Sequence, residues 1–150
     1  MVTSSFRDAR AAVVAEALSW ADPPTPYHHA QAVKGRGIDC AMSLIEWFAI
    51  PGVIERFDPR PYPPAWFLHR DEERFLAGIE SYAVRLPDDV EPLPADLALY
   101  RFGRCVAHGA VIVDDTFVVH ACAIAKRVER RERSALLPRL AGYWRAKAFL

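Results

Sequence analysis

The chain has 150 residues, enough for one buried core and too few for two, so it reads as one domain over residues 1–150. Hydrophobic residues make up 52% and charged residues 25%, a globular balance that excludes a disordered tail. Lys plus Arg equal Asp plus Glu at 19 each, and no apolar run nears the roughly 20 residues of a bilayer span; neither nucleic acid nor a membrane is an expected partner.

The opening residues Met1 to Asp8 lack the basic start, apolar middle and small-residue cleavage site of a secretory signal, which leads us to expect synthesis in the cytoplasm. From Ser5 to Trp20, Phe6, Ala11, Val13, Val14, Ala17 and Leu18 form an apolar stripe opposite Arg7, Asp8, Arg10 and Glu16, the pattern of an amphipathic helix. Pro23, Pro24 and Pro26 end it. Tyr27 to Gly37 is polar and reads as a loop. The next helix runs from Cys40 to Ala49, with Asp39 as its N-cap and Pro51-Gly52 as its stop. Asp58 to Pro64 is a stiff, proline-rich surface loop. A further helix is expected over Asp71 to Tyr82, acidic in its first turn and apolar along Phe75, Leu76, Ile79 and Tyr82.

Beyond a second proline-spaced linker, Asp96 to Phe102, Val106 to Val113 and Thr116 to Ala123 are rich in valine, isoleucine and aromatics and read as adjacent antiparallel strands. The mixed-charge run Lys126 to Arg133 reads as a solvated strand edge or loop. A short helix around Ala135 to Leu140 and a strand over Tyr143 to Phe149 complete the chain. Helices first and a meander second give an α+β fold.

Cys40 begins a helix, where unsatisfied amides and the macrodipole favour a thiolate and lower its pKa. The same amides suit the oxyanion of an acyl-transfer intermediate. A thiolate nucleophile needs a base, and His108 and His120 both lie in predicted strands. A two-residue turn at Asp114-Asp115 throws the two histidines onto opposite faces; we therefore expect a three-residue loop or a bulge, setting His120 across from His108 to orient its ring. Cys105 and Cys122 lack such partners and read as core or strand-face residues, and His28-His29 as solvated. His69 reads as a residue near a helix start. No Cys-x-x-Cys or His-x-x-x-His spacing occurs, so neither a metal nor another cofactor is expected.

In this order the residues resemble the NlpC-type papain-like cysteine peptidases that cleave peptidoglycan stem peptides. Thr25-Pro26-Tyr27 looks like the tyrosine-bearing loop of that family and Gly37-Ile38-Asp39-Cys40 like its Asp-Cys nucleophile motif. Ala95 to Tyr100 looks like its Gly-Asp-Leu strand, His108-Gly109-Ala110-Val111 like its catalytic-histidine strand, and Val119-His120-Ala121 like its third polar residue. The chain departs from the family at Ala41-Met42, where Ser-Gly is usual, and at Ala95. The resemblance implies a papain-like fold with N-terminal helices on a C-terminal antiparallel sheet. It implies Cys40 as nucleophile, His108 as base, His120 as orienter, and Tyr27 with Asp39 near the substrate amine. The implied target is a stem-peptide bond to D-glutamate or diaminopimelate.

The chain is similar above all to the subgroup encoded among phage tail and gene-transfer-agent genes. That implies an enzyme carried to the periplasm or cell wall by a particle, with tail hub or tail tip proteins as partners. A second expectation, from another class, is a structural tail-assembly component that keeps the fold without turnover and docks through the Pro-rich loop with Tyr62, Trp66 and Phe67.

Overall fold

The computed structural model describes residues 2–63 and 73–150. Helix α1 spans Val2–Ala21. Its buried positions are Val13, Ala17 and Trp20, at the i, i+4, i+7 spacing of one helical face, with Phe6 packed beside them; Ala11 faces solvent instead. Helix α2, Cys40–Ala49, is buried from Met42 to Phe48 on nearly every side, because it lies between α1 and the sheet. Asp39 caps it as expected, Oδ1 accepting the Met42 N–H at 2.8 Å.

Helix α3 covers only Arg74–Glu80 of the expected Asp71 to Tyr82. Asp71 and Glu72 lie outside the described residues, as do Trp66, Phe67 and His69. At its C-terminal end the helix gives way to a strand, because Ala83–Arg85 pairs with a partner from the far end of the chain.

Short strands β1 (Ala32–Val33) and β2 (Gly37–Ile38) make a small hairpin within the expected loop. The main sheet contains β3 (Ala83–Arg85), β4 (Leu97–Phe102), β5 (Cys105–Ile112), β6 (Phe117–Cys122), β7 (Arg127–Glu132) and β8 (Leu140–Ala146). Their order is β3-β8-β4-β5-β6-β7, every pairing antiparallel. The expected strands appear within one or two residues, the mixed-charge run is the edge strand β7, and two 3-10 turns at Arg133–Ala135 and Leu137–Arg139 replace the short helix. The last strand starts and ends three residues earlier than expected and inserts between β3 and β4.

Alternation divides the sheet side chains into two sets. Leu97, Leu99, Val111, Val119, Ala121 and Val128 join the helices in the larger core, while Ala98, Tyr100, Ala110, Ile112 and Val118 form a smaller cluster on the other face. The two layers are tied together at Asp96, fully buried just before β4. Its carboxylate takes a bidentate contact from Arg145 of β8 at 3.0 and 2.8 Å, and one from Arg10 of α1 at 3.0 Å. The fold is α+β, helices packed on an antiparallel sheet.

Candidate active site

Asp39 fixes where α2 begins and so where Cys40 stands. Of the four amides in the first turn, that of Met42 goes to Asp39 Oδ1 and that of Ser43 to the Asp39 carbonyl, while those of Cys40 and Ala41 lie against the sulfur. Asp39 itself is 2% exposed; its Oδ2 accepts the Ala30 N–H at 2.7 Å and the Tyr62 hydroxyl. Tyr62 is therefore half-buried on the chain's own carboxylate, which corrects its reading as an outward docking residue of the Pro-rich loop.

Tyr27 is set by neighbours on two sides: its N–H donates to the Lys126 carbonyl at 2.9 Å, and it bridges to Ile38 of β2. Its hydroxyl stands close to the Cys40 thiol. Burial and the nearby thiol and carboxylate push the Tyr27 hydroxyl well above its ordinary range.

Cys40 does not rest as the thiolate expected of a helix start. The amides of Cys40 and Ala41 and the Tyr27 hydroxyl pull its pKa down, but burial, then the Asp39 charge, outweigh them and push it up to about 12. The thiol is turned toward the Ala107 carbonyl, Sγ to O 3.6 Å, one residue short of His108.

His108 lies on β5 and His120 on β6, and their rings meet, His108 Nε2 to His120 Nδ1, at 2.8 Å. The loop is the expected three residues: Val113 pairs with Phe117 across Asp114, Asp115 and Thr116. The expected opposition is corrected, however. The register Val111↔Val119 extends to place Ala110, not His108, across from His120; the rings touch diagonally, because a three-residue loop preserves parity and so one face. Formal pairing of β5 and β6 stops at Val111↔Val119, short of both histidines. A bulge in β5 at Ala107, where the register against β4 shifts between Tyr100↔His108 and Arg101↔Val106, re-aims that end of the strand beside Cys40.

The relay extends one residue further than the sequence suggested. His120 pairs directly across the β6–β7 ladder with Glu129, and its Nε2 lies 3.0 Å from Glu129 Oε1. A carboxylate accepts only, so the His120 hydrogen sits on Nε2 and its Nδ1 is an acceptor. His108 must then donate from Nε2, which leaves its Nδ1 with a bare lone pair. Burial first, and His120 second, push the His108 pKa down to about 3; burial also lowers that of His120, against the pull of Glu129. Both rings rest neutral.

A cavity of about 430 Å³ opens over this end of the sheet, lined by Tyr27, Cys40, His108 and His120 together with Cys122, Phe102, Arg131 and Arg139. Asp39 is not among its lining residues. Cys122, read from sequence as a core or strand-face residue, lines it as well. Glu129 and Cys122 are the site residues that sequence reasoning missed; the usable signal was parity, because Cys122 shares the face of His120, two residues before it on β6. The three cysteines, all among the described residues, form no disulfide.

No protein-family model matches the chain, and no curated protein matches it. Among solved structures, the NlpC/p60 domain of the peptidoglycan hydrolase SagA superposes with a TM-score of 0.59 and 16% identity, over 90% of this chain and 96% of that one. This chain has the NlpC/p60 fold. NlpC2 from Trichomonas vaginalis matches at TM-score 0.59 and 15% identity over 92% of this chain, and NlpC1 from the same organism at 0.53 and 14% over 89%. The chain spans 47% and 44% of the length of those two chains. The papain-like architecture expected from the motifs is thus the one observed.

Proposed function

We propose that the chain is a cysteine peptidase hydrolysing amide bonds in peptidoglycan stem peptides. The observation that carries this reading is the ordered relay from Glu129 through His120 to His108, ending in a bare Nδ1 in the cavity that also holds Cys40. Three neighbours of this fold bear NlpC names, and one is a peptidoglycan hydrolase. The resting thiol is protonated, so His108 acts as a general base during attack rather than as a standing ion-pair partner.

The Cys40 thiol turns from the Ala107 carbonyl, gives its proton to His108 Nδ1, and its sulfur bonds to the substrate carbonyl carbon. The oxyanion faces the Cys40 and Ala41 amides and the Tyr27 hydroxyl. His108 returns the proton to the amine nitrogen as the C–N bond breaks, leaving a thioester. Water then attacks with His108 again as base, releasing the carboxylate and restoring the thiol. His120 and Glu129 keep the His108 hydrogen on Nε2 throughout.

Arg131 and Arg139 line the cavity and suit the free carboxylates of a stem peptide. Tyr27 faces the substrate, whereas Asp39 reaches a substrate amine only when Tyr62 gives up Oδ2. A bond to D-glutamate or diaminopimelate as target, and delivery to the periplasm or cell wall by a phage-like tail tip, rest on the sequence resemblance.

The test is release of stem-peptide fragments from purified muropeptides, followed by mass spectrometry. Wild type is expected to expose a new amine at D-glutamate or diaminopimelate, and Cys40→Ala to release none. No release by wild type, or equal release by both proteins, rejects the enzyme and favours the structural tail component.

A further inference from the structure

Three metal-ligating side chains meet on one face of the sheet beside the relay. His120 and Cys122 stand two residues apart on β6 and so point the same way, and Glu129 lies directly across from His120 on β7. One ligand atom from each falls within 4.8 Å of the others. His120 and Cys122 are buried, Glu129 is nearly so, and the histidine and thiol open onto the cavity. Cys122 Sγ also accepts the Ala125 N–H at 3.4 Å, which fixes where the sulfur stands.

From this geometry we propose that His120, Cys122 and Glu129 form a binding site for a thiophilic divalent cation of the Zn2+ class, whose occupancy switches off the base at His108. Thiolate, imidazole and carboxylate are the ligand types that Zn2+ takes, whereas Mg2+ and Ca2+ take oxygen. One thiolate and one carboxylate cancel the charge of the ion, which makes a buried site affordable. Bond lengths of about 2.0–2.3 Å ask the ligand atoms to close in by on the order of 1 Å, within reach of side-chain rotation. The competing cation is Arg131, whose guanidinium is 3.5 Å from Glu129 Oε1; it is half exposed and free to swing into the cavity mouth. The cavity supplies the entry path and the fourth coordination position.

The effect on the relay follows from hydrogen counting. An ion takes the lone pair of His120 Nε2, so the ring hydrogen of His120 must move to Nδ1. That nitrogen then donates to His108 Nε2, and the hydrogen of His108 moves to Nδ1, the position that had been the bare lone pair. Both rings keep one hydrogen each. The only proton lost to solvent is that of the Cys122 thiol, as the metal–sulfur bond forms. Binding stands on the cluster alone; the loss of catalysis rests on the proposed peptidase reading.

Co2+ serves as the visible probe on the full chain. Wild type is expected to show one equivalent of a sulfur-to-cobalt charge-transfer band with tetrahedral visible absorption, displaced by Zn2+. Cys40→Ala should keep the band, Cys122→Ser should lose it, and Glu129→Gln should bind at least about tenfold more weakly. Zn2+ should also slow alkylation of Cys40 by iodoacetamide at least about tenfold in wild type, read by mass spectrometry. Absence of the band in wild type under excess Co2+ overturns the site whether or not any variant folds. Its loss in Cys40→Ala, or its survival in a folded Cys122→Ser, does the same. Binding with unchanged alkylation overturns the switch. A metal site in a chain that cleaves no stem peptide leaves the site standing and removes only the peptidase reading.

Discussion

If His108 is the base for Cys40, a hydrogen on its Nδ1 leaves nothing to accept the thiol proton, and Glu129 holds the far end of the relay that keeps that hydrogen on Nε2. On the peptidase reading, Glu129→Leu lowers kcat for stem-peptide cleavage by at least about tenfold and leaves KM within about twofold, because the residue orients the base and touches no substrate. Glu129→Gln is expected to recover part of the loss, since its amide oxygen still accepts from His120 Nε2. Equal losses in the two variants would assign the effect to charge and not to the tautomer. Cys40, His108 and His120 were legible because each is marked by close neighbours: a capping aspartate before an apolar run, and valine-rich alternation around each histidine. Glu129 was not. It sits among arginines in a run that reads as solvated edge, and pairing it with His120 requires the β6–β7 register, which passes through a turn where Lys126 takes a φ of 61°. Cys122 was hidden for the same reason, its value lying in what stands beside it on the folded sheet.

At the scale of elements, Gly109 sets how closely α2 approaches β5. A methyl group there would stand 2.5 Å from Leu44 Cδ1 and 2.8 Å from Leu99 Cδ2, both side chains fully buried. Gly109→Ala must therefore displace the Leu44 and Leu99 side chains, which pack α2 against β5. We expect about 1–3 kcal/mol of lost stability in urea unfolding with an unchanged m-value. On the peptidase reading, activity should fall further than the folded fraction does, since Leu44 belongs to the helix that carries Cys40 and Gly109 adjoins His108. A variant with native stability and native kcat would show that the two elements are not in critical register. The start of α2 and the β4–β6 meander were legible because capping and alternation are local, and parity narrowed the turn to a three-residue loop or a bulge, of which the loop is found. Three features were not legible. β3 is three residues long, β8 is placed between β3 and β4 by contacts far along the chain, and the Ala107 bulge leaves no mark in composition.

For the molecule as a whole, the buried site confines stability to a window of pH. His108 has an ordinary pKa of 6.5 and is pushed down to about 3 in the fold, so between those values the unfolded chain binds a proton that the native state refuses. Its contribution is complete above about pH 6.5 and is lost as pH falls toward 3, and the lowered His120 acts in the same direction. Cys40 works from the other side. Its pKa rises from 9.0 to about 12, so above pH 9 the unfolded chain sheds a proton that the native thiol keeps, and stability falls again. Urea unfolding across this range should give a maximum between about pH 6.5 and 9, with an acid limb to which His108 adds up to about 1.4 kcal/mol per pH unit. Carboxylates also titrate on the acid limb, so the diagnostic quantity is the difference between proteins. His108→Gln should flatten that limb and leave the alkaline one, while Cys40→Ser should do the reverse. If both variants follow the wild-type curve at each end, the fold shifts neither group from its ordinary pKa, and on the peptidase reading the proton would pass from an ordinary thiol to an ordinary imidazole.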